Sequence, residues 1–249
     1  MTSPFRLRVV AWWLLGACSV AAGPTGSVGE VPTVPEILDR LVRRSAETAR
    51  RDREFEASHS FTLLQVLETR DSSGEVKKRE EVSRRHEPGN PVPIELSEVK
   101  PKGREHLEVT LTHELLARFR FTYVGTERVN GRDAWVLDFV PAAREPPSRA
   151  IRDRIIGRLA GRVWIDVADA ETARLEVNLT ESVGVVGGVV GSLRHCRFST
   201  ERERMPPGHW YTRRLEWFLE ARRFLRTKQL EFREERTGVE LFPDAIEAR

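Results

Sequence analysis

The chain has 249 residues, 39% of them hydrophobic and 32% charged, with 41 basic and 38 acidic side chains. So much apolar content, including 6 Trp and 11 Phe, excludes a chain that is disordered throughout, and two cysteines exclude a disulfide framework. The near-balance of charge gives no support to a nucleic-acid surface.

The chain opens with Arg6 and Arg8, which account for most of the net charge of +3, and continues with an apolar run from Val9 to Ala17 and small residues to Gly23. That layout is a secretory signal, and the run is too short for a membrane span, which needs about 20 apolar residues. No later stretch is long enough either, so a mature chain without a transmembrane helix is expected. Two cleavage readings stay open. Leu15-Gly16-Ala17-Cys18 has the form of a bacterial lipobox, in which Cys18 would be lipidated and become the new N-terminus. Cleavage after Ala21 or Ala22 would instead remove Cys18 and leave Cys196 alone, with no intramolecular disulfide. We therefore divide the chain into a signal at 1–22, a spacer at 23–34, one domain at 35–242 and a tail at 243–249. The spacer is rich in Gly, Pro, Thr and Ser and has no periodicity.

From Pro35, which suits a first helical turn, Ile37, Leu38, Leu41, Val42 and Ala46 recur at helical spacing and predict a helix over 35–53. A strand around Phe61, Leu63 and Leu67 ends at Asp71-Ser72-Ser73-Gly74, and the mixed-sign segment Glu75 to Arg85 reads as its solvated partner or a charged sheet edge. Leu107, Leu111 and Leu115, four residues apart, predict a second helix over 105–118.

The clearest hairpin follows: Phe119 to Val129, then Asn130-Gly131, then Asp133 to Val140. Alternation sets Phe119, Phe121 and Tyr123 on one face of the first strand and Trp135, Leu137 and Phe139 on one face of the second. Ile151, Ile155, Ile156 and Leu159 predict a short helix over 146–159. Strands are expected at 161–167 and 172–182, with Val163 and Ile165 matched to Leu175, Val177 and Leu179, then at 192–204, 209–221 and 223–236. About nine strands in a meander, with two or three helices, make an α+β, mainly β fold. We expect a strongly curved antiparallel sheet, an open half-barrel, with the helices packed in its hollow.

Catalytic patterns fail one by one. His113-Glu114-Leu115-Leu116 opens like a zinc-protease helix, but Ala117 stands where the second histidine is required. The Gly-rich run at 184–191 lacks the Lys-Ser/Thr of a phosphate loop, and no G-x-S-x-G elbow occurs. Asp166 and Asp169 flank a turn, where Asp serves local hydrogen bonding. Cys196 lies in an alternating run and reads as a packed thiol. No enzyme activity, metal or cofactor is expected. What remains is apolar surface, and a half-filled hollow suits a hydrophobic ligand lined by Phe121, Trp135, Leu137, Phe139, Trp164, Leu175 and Trp217.

The segments Thr62 to Val82, Tyr123-Val124-Gly125-Thr126-Glu127-Arg128-Val129-Asn130-Gly131 with its return through Trp135 to Leu137, and Gly161-Arg162-Val163-Trp164-Ile165-Asp166 resemble the outer-membrane lipoprotein-sorting (LolA/LolB-like) family. The resemblance covers roughly 35–240 in outline. It implies an exported bacterial envelope protein, periplasmic or anchored to the outer membrane by an N-terminal lipid, that holds a lipid or lipoprotein acyl chain as carrier or sensor and uses no cofactor. The rival reading is a non-enzymatic interaction or sensor module with a filled core that docks an envelope membrane protein.

Overall fold

Thr33 starts the first helix by holding an extended backbone while the Glu36 carboxylate accepts from its N–H at 2.8 Å and its hydroxyl at 3.0 Å. In this computed structural model, which describes residues 31–89, 111–142, 151–185, 191–223 and 226–242, that helix is α1, Val34–Glu56. The expected signal segment with Cys18, the residues of the predicted second helix before 111, most of the Gly-rich run and the expected tail lie outside the described residues.

The remaining elements follow in chain order from Thr33 onward, a stretch that forms one compact unit. They are β1 (His59–Arg70), β2 (Val76–His86), α2 (His113–Leu116), β3 (Phe119–Val129), β4 (Arg132–Pro141), α3 (Ile151–Ile156), β5 (Leu159–Asp166), β6 (Thr172–Leu179), β7 (Val183–Val185), β8 (Gly191–Met205), β9 (His209–Arg223) and β10 (Arg226–Leu241). All ten strands join one antiparallel sheet in the order β2-β1-β10-β9-β8-β6-β5-β4-β3, with β7 paired only to β8. β2 and β3 are the two edges, so the sheet is open and not a closed barrel, a mainly β half-barrel. From β3 to β10 the expected meander holds, interrupted only by β7. The first hairpin, however, docks onto the last strand, with Leu67 opposite Phe232 and Gln65 opposite Glu234.

Local chemistry explains the turns. Asn130 and Gly131 take positive φ of 50° and 79°, the pair that a two-residue hairpin between right-twisted strands requires. β2, at the edge, carries the mixed-sign run and keeps most of its side chains in water, which blunts an edge open to further pairing. Of the three helices among the described residues, α1 alone is long. α2 is a single turn that lies against α1 and buries Leu116, while α3 buries no residue and lies beside β7.

α1 defines the inner face. Near its start Ile37 and Leu41 pack on Trp135 and Leu137 of β4 and on Val163 and Ile165 of β5. Near its end Phe55 packs on Phe61 and Leu63 of β1 and on Tyr211 of β9. The helix thus crosses the sheet from one flank toward the other, and its apolar stripe is the core.

Candidate hydrophobic-ligand site

Register and alternation extend the inner face beyond the helix. Gly161 and Val163 of β5 face Val177 and Leu175 of β6. Val177 then pairs with Phe198, Phe198 with Trp217, Trp217 with Phe232 and Phe232 with Leu67. These five apolar side chains form one row across β6, β8, β9, β10 and β1. At about 4.8 Å between strands the row is roughly 19 Å long. One observation fixes its side: Phe61, six residues before Leu67 along the unbroken register of β1 with β2, touches Phe55 of α1.

Those six residues also separate the row from the helix. At about 3.3 Å per residue, Leu67 lies roughly 20 Å along β1 from where Phe55 of α1 is seated, and Trp217 is level with it across Phe232. Leu67 and Phe232 are buried, with Val82, Leu215 and Trp217 packed against them, whereas Trp217 and Phe198 are only half-buried. The Trp217 and Phe232 rings stack at 5.3 Å.

The residues expected to line the hollow separate into four groups. Trp135 and Leu137 are covered by α1, and Phe121 and Leu175 pack partly against that same cluster. Phe139 is buried among Phe119 and Phe121, at ring distances of 5.4 and 5.8 Å. Trp217 stands in the row. Trp164 stands on the opposite, outer face with Ala134 and Val136, donates its Nε1–H to Glu127 at 2.8 Å and lies under the guanidinium groups of Arg174 and Arg162 at 4.9 and 5.8 Å. A depression of about 300 Å³ also lies on that outer face, with Glu176, Arg197, Glu216, Glu231 and Arg233 around the Phe218 ring. Arg197 covers that ring at 5.3 Å, so the depression is a charged groove rather than an acyl pocket.

A polar network closes one end of the inner face. Glu171, almost fully buried, accepts from Arg202 at 2.6 Å and from Arg44 of α1 at 2.7 Å, and Arg202 also donates to Asp52 of α1 at 2.5 Å. Burial raises the Asp52 carboxyl above its ordinary range despite Arg202. Asp166 takes both N–H groups of Arg132, at 2.6 and 2.9 Å, and caps its own turn through the N–H of Asp169 at 2.7 Å. Burial opposes ionisation of Asp169, but the Trp210 N–H together with Arg204 and Arg132 outweighs it and holds the carboxyl below its ordinary range. The turn role expected of Asp166 and Asp169 is present, joined to contacts with Arg132, Arg204 and Trp210, which stand far away in sequence. Apart from Arg202 Nε, which is buried without a partner among the described residues, these groups satisfy one another, an arrangement that holds a helix on a sheet.

His113 is exposed on α2, 3.3 Å from Asp39, and no group of three His, Cys, Asp or Glu side chains suited to a metal occurs among the described residues. Burial pushes the half-buried Cys196 thiol up from its ordinary value, which disfavours the reactive thiolate. Burial also lowers the His59 imidazole, with the Phe55 carbonyl opposing and His209 adding to the fall. The folded chain therefore refuses a proton that the unfolded chain accepts near pH 6.5. Above that pH the group does not alter stability; below it stability falls toward the lowered folded value. Urea melts between about pH 7 and about pH 5 should show a falling midpoint, and His59→Gln should flatten the fall.

No protein-family model matches the chain, and no curated protein does. Solved structures match at low identity. A putative outer membrane lipoprotein-sorting protein domain from Vibrio parahaemolyticus is 13% identical with a TM-score of 0.31, over 83% of this chain and 94% of that chain. A LolA superfamily protein from Nitrosomonas europaea is 12% identical with a TM-score of 0.30, over 87% and 97%. MucB is 13% identical with a TM-score of 0.32, also over 87% and 97%. The chain is similar to lipoprotein-sorting and LolA-superfamily structures. The likeness is one of outline, and the site stands on its own geometry. No helix among the described residues is long and apolar enough to cross a membrane.

Proposed function

We propose that the chain is an exported bacterial envelope protein that binds a lipid or a lipoprotein acyl chain along the inner-face row, as carrier or sensor in lipoprotein sorting. The observation that carries this reading is the row itself: apolar side chains continuous over roughly 19 Å, two of them half-buried aromatics beyond the reach of α1. Each methylene laid on such a surface contributes up to about 0.8 kcal/mol, so an elongated chain needs few polar contacts and leaves no motif.

Native mass spectrometry with lipid extraction, on protein purified from its own envelope without harsh detergent, tests the reading. Near one-to-one phospholipid or acyl chain is expected, and the N-terminal mass reports whether Cys18 is acylated. Trp217→Glu should cut lipid occupancy about tenfold or more, since it removes roughly 1.5–3 kcal/mol of apolar contact, with circular dichroism establishing that the variant, which also loses its stacking on Phe232, is still folded. Unchanged occupancy in that variant would overturn the site.

One observation favours a second reading. Ile37 and Leu41 already fill the space over Trp135, Leu137, Val163 and Ile165, so the β4–β5 part of the hollow is core. A protein that purifies empty and ignores added lipid would be an interaction module that docks an envelope partner.

A further inference from the structure

The apolar row does not end the inner face. From Phe232 back to Arg226 the pairing of β10 with β9 runs without a shift, so alternate residues of β10 keep to one side: Phe232, Leu230, Lys228 and Arg226. β9 sets Trp217, Leu219 and Ala221 against the first three of them. Leu219 pairs in turn with Cys196 of β8, and Leu230 with Thr69 of β1, which lays a second, half-buried row beside the first. Two residues further along β10 the character of the face changes. Lys228 and Arg226 are exposed, and Arg226 closes the ladder opposite Arg223 at the end of the sheet away from Phe55. From Phe232 to Lys228 is roughly 13 Å at about 3.3 Å per residue.

The charge at this end has one sign. Between Glu220 and Glu231 the chain carries Arg222, Arg223, Arg226 and Lys228 and no acid. Glu220 itself stands on the outer face with Phe218, where it accepts from Gln229 at 3.3 Å and lies 3.4 Å from His195 and 3.7 Å from Arg194. Glu80 on the neighbouring edge strand is taken by Lys78. An elongated amphiphile lying on the two apolar rows therefore brings its polar end to a guanidinium and an ammonium. These stand two positions apart on one face, roughly 7 Å, within reach of a single phosphate. A guanidinium binds phosphate oxygens through paired N–H groups and an ammonium binds them as a point charge. Neither carries an acceptor, so a polar end that only donates gains nothing there.

We propose that the ligand of the inner face is an anionic phospholipid, with its acyl chains on the two rows and its phosphate-bearing headgroup held by Arg226 and Lys228. The inference rests on the binding reading above and adds to it the sign of the headgroup.

The test offers the full chain vesicles that hold equal amounts of phosphatidylglycerol and phosphatidylcholine with the same acyl chains. The protein is re-isolated, and the lipid it carries is extracted and counted. Both lipids sit in one vesicle, so attraction of the protein to the membrane does not set their ratio. Phosphatidylglycerol is expected in about tenfold excess, the effect of a hydrogen bond or two to a charged group. Arg226→Gln combined with Lys228→Gln should bring the ratio close to one. Arg222→Gln, which removes a cation from the outer face of the same tip, should keep the parent's ratio. Circular dichroism establishes that each variant is folded. A parent that carries both lipids in the vesicle's proportion would overturn the inference and leave the apolar row standing; a parent that carries neither would overturn both. An equal change in Arg222→Gln would assign the preference to the charge of the whole tip and not to the inner-face pair. Displacement of the lipid by glycerol phosphate at constant ionic strength would make the pair a site for free phosphate. Either result would also overturn the inference.

Discussion

Glu171→Ala is expected to lower the unfolding free energy by about 3–5 kcal/mol, a large share of what a domain of this size has. Glu171 is the acceptor on which two elements meet: Arg44 and Thr48 from α1 and Arg202 from β8, the last also almost fully buried. Removing the carboxylate leaves the Arg202 guanidinium out of water with only Asp52 and the Trp210 carbonyl to pair with. The stranded charge, and not the lost attraction, sets the size of the effect. It follows that changing Glu171, Arg202 and Arg44 together to Met or Leu should recover most of the loss, because the desolvation penalty goes with the charges. Urea unfolding of the single and triple variants checks this: equal destabilisation of the two would mean that the network acts through packing alone.

The same network shows where a sequence stops being informative. Glu171 and Arg202 are 31 residues apart, and Arg202 and Asp52 are 150 apart. In a chain with 41 basic and 38 acidic side chains, nothing local marks which few of them are buried together. The same holds for His59 and His209. Strand alternation and turn chemistry are local, and they located α1 from Pro35, the Asn130-Gly131 hairpin, and the match of Val163 to Leu175. Pairing of β1 with β10 joins residues some 160–180 positions apart, and no local pattern encodes that closure.

Two of the lining residues illustrate a different limit. Trp164 follows Val163 and precedes Ile165, so if those two face inward, alternation alone turns Trp164 outward; the information was present in the parity of the strand. Trp135 and Leu137 are on the inner face, as their alternation indicates, but whether such a residue meets ligand or helix depends on where α1 lies. An aromatic face in a sequence therefore identifies a surface that must be covered, not what covers it.

Gly161→Ala should be the most damaging glycine-to-alanine change among the described residues. Gly161 stands on β5 between Phe139 of β4 and Val177 of β6, on the inner face. A Cβ there would lie 1.9 Å from the Glu176 carbonyl oxygen and 2.8 Å from Phe139 Cζ. Phe139 could turn aside, but the Glu176 carbonyl belongs to the ladder between β5 and β6, and moving it breaks pairing in the middle of the sheet. Ordinary overpacking costs about 1–3 kcal/mol; a backbone clash with no side chain to yield should exceed that. The expected outcome is a chain that is largely unfolded or aggregated at ambient temperature, read from far-ultraviolet circular dichroism and the urea midpoint. A second substitution separates the two contacts: Phe139→Ala should not rescue Gly161→Ala, because the ring is the lesser obstacle. Rescue by it would show that the space under Phe139, and not the ladder, is what glycine protects at this position.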